Sequence, residues 1–171
     1  VDPQDLAFRA ATIRDAPRIA ALVIEGFATY RPFAPPGWSA PTVEDEQPAV
    51  EAVLAGSSVW CHVAEDGEQL AGHCGWHAAS EGRRPIDAPG LVHFWQLFVR
   101  RPWWGSGLAV MLHDAGVKTC AEQGYTTMRL LTPADHGRGR RFYEREGWTL
   151  SAEPSEDTLF GMQLVEYRRE L

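Results

Sequence analysis

Hydrophobic and polar positions repeat along the chain with two different periods, and the switches between them mark its elements. "LAFRAAT" (Leu6 to Thr12) alternates as a strand does. Ile19, Leu22, Val23, Gly26 and Phe27 then share one face of a predicted helix that Asp15 caps, with Pro17 in its first turn and an end near Tyr30. From Arg31 to Pro41 the prolines Pro32, Pro35, Pro36 and Pro41 forbid regular structure, because each lacks an N–H and fixes its φ. A second helix is predicted from the N-cap candidate Thr42 to Gly56. "SVWCHVAED" and "QLAGHCGWHAAS" flank Gly67 and Glu68 as a hairpin. After the turn-rich "GRRPIDAPG", "LVHFWQLFV" (Leu91 to Val99) is so nearly apolar throughout that both its faces are expected to be buried. Leu108, Met111, Leu112 and Ala115 restore the helical period up to about Gln123, and Gly124 stops it. "TTMRLLT" reads as a strand, "DHGRGRRFYEREG" as a short helix, and "WTLSAE" and "TLFGMQLVEY" as two closing strands.

The resulting order, β-α-α-β-β-β-α-β-α-β-β, has no internal repeat and no linker, so residues 1–171 are expected to form a single α/β domain. No apolar run approaches the roughly 20 residues of a membrane span, and no signal-peptide pattern precedes the first strand. Cys61, Cys74 and Cys120 match no metal or redox spacing and are expected to be buried, reduced thiols. A cytoplasmic protein without a membrane partner follows as the expectation. The net charge of −7 argues against a nucleic-acid partner. That charge is uneven. No Lys or Arg lies from Pro32 to Gly82, whereas Arg100, Arg101, Arg129, Arg138, Arg140, Arg141 and Arg145 crowd the second half, as suits an anionic ligand there.

"FVRRPWWGSGLAVML" (Phe98 to Leu112) places Gly105 and Gly107 where a strand turns into a helix, a place where backbone N–H groups can hold phosphate. A nucleoside-triphosphate loop would need Lys and then Ser or Thr after the second glycine, where Leu108 and Ala109 stand. A dinucleotide fingerprint would need a third glycine where Val110 stands. A pyrophosphate held by successive N–H groups is left, beside an ordinary turn that uses glycine only for its φ angles.

At this point the sequence resembles the GNAT superfamily of acyl-CoA-dependent N-acyltransferases. Trp104, Gly105, Ser106, Gly107, Leu108 and Ala109 fall on its Q/R-x-x-G-x-G/A pattern, with Trp104 in place of Gln or Arg. The replacement is tolerable in a motif that acts through backbone N–H groups. "HGRGRRFYEREGW" resembles a second motif, N-x-x-A-x-x-x-Y ending in Gly-Phe: His136 replaces Asn, Gly139 replaces Ala, Tyr143 matches and Gly147-Trp148 closes it. The resemblance implies a GNAT fold, a mixed and mostly antiparallel sheet of six to seven strands with helices on both faces. It also implies acetyl-CoA as co-substrate, no metal, and acetyl transfer to a primary amine of a small molecule or peptide by direct attack.

Leu97, Phe98 and Val99 would pair with the pantetheine arm, and Arg100, Arg138 and Arg141 would meet the phosphates bidentately. His136, Gly139 and Tyr143 share a helical face toward the cofactor, and by resemblance Tyr143 protonates the departing thiolate. Trp103 and Trp104 lie outside what the motif needs and are expected to cover the adenosine or pack the turn. An amine of pKa about 10 must lose a proton before it attacks. The strand "LVHFWQLFV" lacks the glutamate that many relatives use, so His93 is the candidate base, with Gln96 able at most to position a water. Tyr30, Phe33 and Trp38, with Glu153 of the acidic "EPSED" link, are the candidate acceptor contacts, aromatics and a carboxylate that would suit a cation. The absent strand acid keeps a second reading open, a non-catalytic acyl-CoA-binding sensor or interaction module. Pairing into a homodimer stays open.

Overall fold

Strand β1, Ala7–Ala10, starts the chain, and α1, Ala16–Ala28, and α2, Val43–Leu54, follow it in the computed structural model, which describes residues 2–171. Asp15 precedes α1 as expected, but its carboxylate is turned back to Arg9 (2.7 Å to each oxygen) and the Thr12 N–H (2.8 Å). Thr42 and Asp45 form a reciprocal capping box that starts α2. Strands β2, Val59–Asp66, and β3, Gln69–Ala78, make the expected hairpin; β4 is Leu91–Val99, and α3, Leu108–Glu122, precedes β5, Thr127–Pro133. The short α4, Gly137–Arg145, leads to β6, Thr149–Leu150, β7, Ser155–Asp157, and β8, Met162–Glu170.

One sheet runs β1-β2-β3-β4-β5-β8-β6, with β7 also on β8, and every pairing but β4–β5 is antiparallel. Eight strands therefore stand where six to seven were expected. The additional one is a piece of the edge: β6 and β7 lie against successive stretches of β8, and Pro154, which cannot donate to a ladder, falls in the gap between them.

Helices α1 and α2 cover one face through Ile19, Leu22, Val23 and Val50, which pack on Cys61, Val63 and Leu70. On the other face lie α3 and Trp148, over Trp76, Phe94, Met128 and Tyr167. Buried on α3 are Leu108, Leu112, His113, Gly116 and Cys120, a face rotated from the predicted stripe: Leu108 and Leu112 are buried as expected, but Met111 is half-buried and Ala115 exposed. Trp76 sets that rotation, since a Cβ on Gly116 would come within 2.5 Å of its ring. The three cysteines are free and buried. Among the described residues no helix is long and apolar enough to cross a membrane.

Candidate active site

The parallel pair β4–β5 lasts only from Leu91, Val92 and His93 against Thr127, Met128 and Arg129; beyond it the strands diverge. On its other side β4 stays paired with β3, but Trp95 is an extra residue between the partners Trp76↔Phe94 and Gly75↔Gln96. Such a bulge bends the strand and resets which side chains face which way. A cleft of about 700 Å³ fills the divergence, lined by β4 from His93 through Trp95 to Val99, by Leu131, Thr132 and Pro133 of β5, and by both flanking loops.

At one end, Gly105 and Gly107 hold φ of 80° and 94°, the left-handed region where a side chain is strained. A Cβ on either would meet no protein atom within 4 Å, so the loop faces open space across the first turn of α3. The N–H groups of Ala109 and Val110, in that first turn, have no intrahelical acceptor. These features fit a pyrophosphate lying on the loop. Trp103 is buried in the core, while Trp104 spans the loop: its indole N–H donates to the Val99 carbonyl (2.7 Å) and the Arg138 guanidinium lies 3.5 Å from its ring centre. Arg138 and Arg141 line the cleft with Leu97, Phe98, Val99, Trp104, Gly105, Gly107, Ala109 and His136.

Three predicted cofactor contacts lie elsewhere. Arg100 turns away to Glu25 of α1 (3.0 Å) and Gln69. The Ser106 hydroxyl donates to the Trp103 carbonyl (2.8 Å), and Leu108 is wholly buried in the core. Their side chains serve the loop and the helix, so any part they take in holding a ligand is through the main chain.

The motif helix explains its own departures. The His136 ring stacks on Phe33 (5.4 Å between centres) and lies over Gly139, where a Cβ would come within 2.5 Å of its Nδ1. Histidine at one position thus requires glycine at the other, and the two replacements are one change. Burial, with the Arg138 charge, lowers the His136 pKa to about 4, so the ring is neutral. Tyr143 lines the cleft, its ring against Trp148 and Phe94. Burial raises its pKa, so the phenol stays protonated.

At the other end, Gln96 donates to Oε1 of Glu46 on α2 (2.8 Å). Glu46 is 6% exposed, yet it is the one carboxylate among the cleft-lining residues. Burial raises its pKa, an effect that the hydrogen bond from Gln96 and the nearby Arg83 charge oppose. The Gln96 carbonyl, Oε1, is buried without a donor among the described residues. Glu46 thus brings a carboxylate to the cleft, held at Oε1 by Gln96. Sequence reasoning missed Glu46, although the signal exists: with Val43, Val50 and Val53 it occupies the apolar stripe of an amphipathic helix, where an acid is out of place.

His93 lines the same end but deeper, and burial, with the charges of Arg129, His77 and Arg84, holds its pKa well below the ordinary value. The structure therefore makes it a far weaker base than a strand histidine promises. Of the predicted acceptor contacts, Tyr30 lines the cleft. Phe33 stacks behind it and Trp38 donates to the Phe160 carbonyl (2.8 Å), so these two support the wall. Glu153 is exposed and outside the cleft-lining set. From that acidic link only Asp157 approaches, and it is tied to Arg84 by paired contacts of 2.5 and 2.7 Å.

The family model described as the acetyltransferase (GNAT) family matches residues 24–148. A GCN5-related N-acetyltransferase from Kribbella flavida superposes with a TM-score of 0.72 at 17% identity, covering 99% of this chain and 100% of that one. The PaiA N-acetyltransferase of Thermoplasma acidophilum, in complex with coenzyme A, gives 0.69 at 13% identity over 95% and 98%. The yncA protein of Salmonella typhimurium, with its cofactor acetyl-CoA, gives 0.70 at 16% over 97% and 94%. These are likenesses of fold. No curated protein matches the chain.

Proposed function

We propose that this chain, which belongs to the acetyltransferase (GNAT) family, transfers an acetyl group from acetyl-CoA to a primary amine by direct attack. The observation that carries this reading is the meeting, in one cleft, of the open glycine loop with the Glu46–Gln96 pair. A carboxylate beside the mid-strand bulge, steadied by Gln96, suits a donor-rich group such as an ammonium.

Acetyl-CoA, when bound, supplies a thioester whose carbonyl carbon is the electrophile. Gln96 fixes Oε1 of Glu46, and Oε2 takes a proton from the acceptor ammonium, directly or through a water. Burial helps by making Glu46 more basic than an exposed glutamate. Tyr143, held neutral, gives its hydroxyl proton to the departing sulfur. The burial that weakens this phenol as an acid also strengthens a thiolate beside it as a base, so the two stay matched. His93, buried and neutral, shapes the far end of the pocket.

The test is free-thiol release from acetyl-CoA by the purified chain across a panel of amino acids, polyamines, aminoglycosides and peptide N-termini. Release that depends on an amine is expected. Tight acetyl-CoA binding with no release across the panel overturns the reading in favour of the non-catalytic binding module.

A further inference from the structure

The link between β3 and β4 arches over the acceptor end of the cleft and is tied down on every side. The Ile86 N–H donates to the Ala79 carbonyl (2.7 Å), and Arg129, buried on β5, donates to the Arg84 carbonyl. The Arg84 side chain is clamped by Asp157 of β7. Gly82, with φ of 80°, lies so close to the His77 ring that a Cβ would come within 2.5 Å of it. A loop held this way presents its free basic side chain from a fixed platform.

That side chain is Arg83. It lines the cleft, it is exposed, and no acidic partner reaches it among the described residues, whereas its neighbour Arg84 is neutralised. The same cleft holds Glu46, its one carboxylate, near enough for the Arg83 charge to act on it. The cleft also has apolar walls in Phe27, Val53, Trp95, Leu159 and Phe160. The acceptor end thus offers one cation, one anion and an apolar surface.

We infer that the acceptor is an amine that also carries an anionic group, of the kind of an apolar α-amino acid, with Arg83 binding the anion while Glu46 and Gln96 take the ammonium. The inference rests on the acyl-transfer reading of the same site. A polyamine would set its second positive charge against Arg83 and find no second carboxylate. A guanidinium suits a carboxylate because both are planar and pair through two hydrogen bonds.

Leucine, leucinamide and 3-methylbutylamine, which share a side chain and differ in the anion, provide the test with acetyl-CoA and a thiol assay. Leucine is expected to exceed both others in kcat/KM by about 10- to 100-fold, the usual worth of a charge-assisted hydrogen-bond pair. In Arg83→Gln that preference should vanish through a raised KM for leucine, with the affinity for acetyl-CoA unchanged. The phosphonate analogue of leucine distinguishes a tetrahedral from a planar anion, and preference for either over the amine supports the inference. Equal use of the three acceptors, or a leucine preference that survives Arg83→Gln, overturns it while leaving acyl transfer intact. Titration of leucine and 3-methylbutylamine into the CoA-loaded protein reads the same Arg83 preference without turnover. If leucine binds through Arg83 but no acceptor releases thiol, the recognition stands and the acyl-transfer reading falls.

Discussion

The cofactor end of the cleft centres on one short stretch of main chain, the loop through Gly105 and Gly107 into α3, with Arg138 and Arg141 of α4 beside it, whereas the acceptor end is assembled wholly from side chains of separate elements. Glu46 comes from α2, Gln96 from the bulge of β4, Arg83 from the β3–β4 link and Phe160 from the turn before β8. N–H groups are supplied by every residue but proline, so the first end keeps its chemistry when Trp104 replaces Gln or Arg. The second end changes specificity with single substitutions that leave the backbone alone. A ligand common to many proteins of one fold is suited to the first construction, and a ligand particular to each is suited to the second.

Separate damage to each end is the strongest way to test that division. Glu46→Gln should lower kcat/KM for the amine by about 10²- to 10³-fold, the range for loss of a proton acceptor, with acetyl-CoA affinity from equilibrium binding kept within about threefold. An equal loss of both would show that the ends are not independent. Gly107→Val does the reverse. Strain at a φ of 94° and a side chain in the open space should raise the Kd of acetyl-CoA by about 30-fold, while the amine KM at saturating acetyl-CoA holds and a thermal melt reports any loss of fold.

A smaller, sharper difference lies in pH. Glu46 must be ionised to accept a proton and burial raises its pKa above 4.5, so kcat/KM should climb about tenfold per pH unit below that raised value and level off above it. The limb should vanish in Glu46→Gln and persist in His93→Gln, because burial and the neighbouring positive charges hold His93 well below its ordinary value. A limb lost in His93→Gln would return the base to the strand. Least of all should follow from Trp104→Phe, which removes the bond to the Val99 carbonyl but no loop N–H: a change of about threefold in acetyl-CoA affinity, measured by titration.

The same contrast decides what was legible in the sequence. The glycine loop, the Tyr143 helix and the order of elements are local, and hydrophobic period and spacing carried them. Glu46, Gln96 and Arg83 lie far apart in the chain and meet only when α2 and the β3–β4 link fold over β4. The strand alone therefore suggested His93, the chemically nearest residue, when the carboxylate stood on a helix. Glu153 misled for the same reason: loop composition marks charge without giving its direction, and the link that carries it folded into an edge strand anchored by Arg84. Arg100 looked free beside the motif and is engaged with α1.

The short pairing of β4 with β5 bears on more than ligand binding. Where the strands part, each keeps a stretch of edge with backbone donors and acceptors unpaired on the facing side. Exposed edges of this kind recruit strands from other molecules and start aggregation, which proteins usually prevent with charges or prolines. Here the two edges face each other across the cleft, whose lining also draws on α1, α2, α3 and α4. A foreign strand has to enter the cleft to lie along either one. Recessing both edges inside a cleft keeps adhesive backbone available to a slender ligand while making it less accessible to a neighbouring molecule's strand.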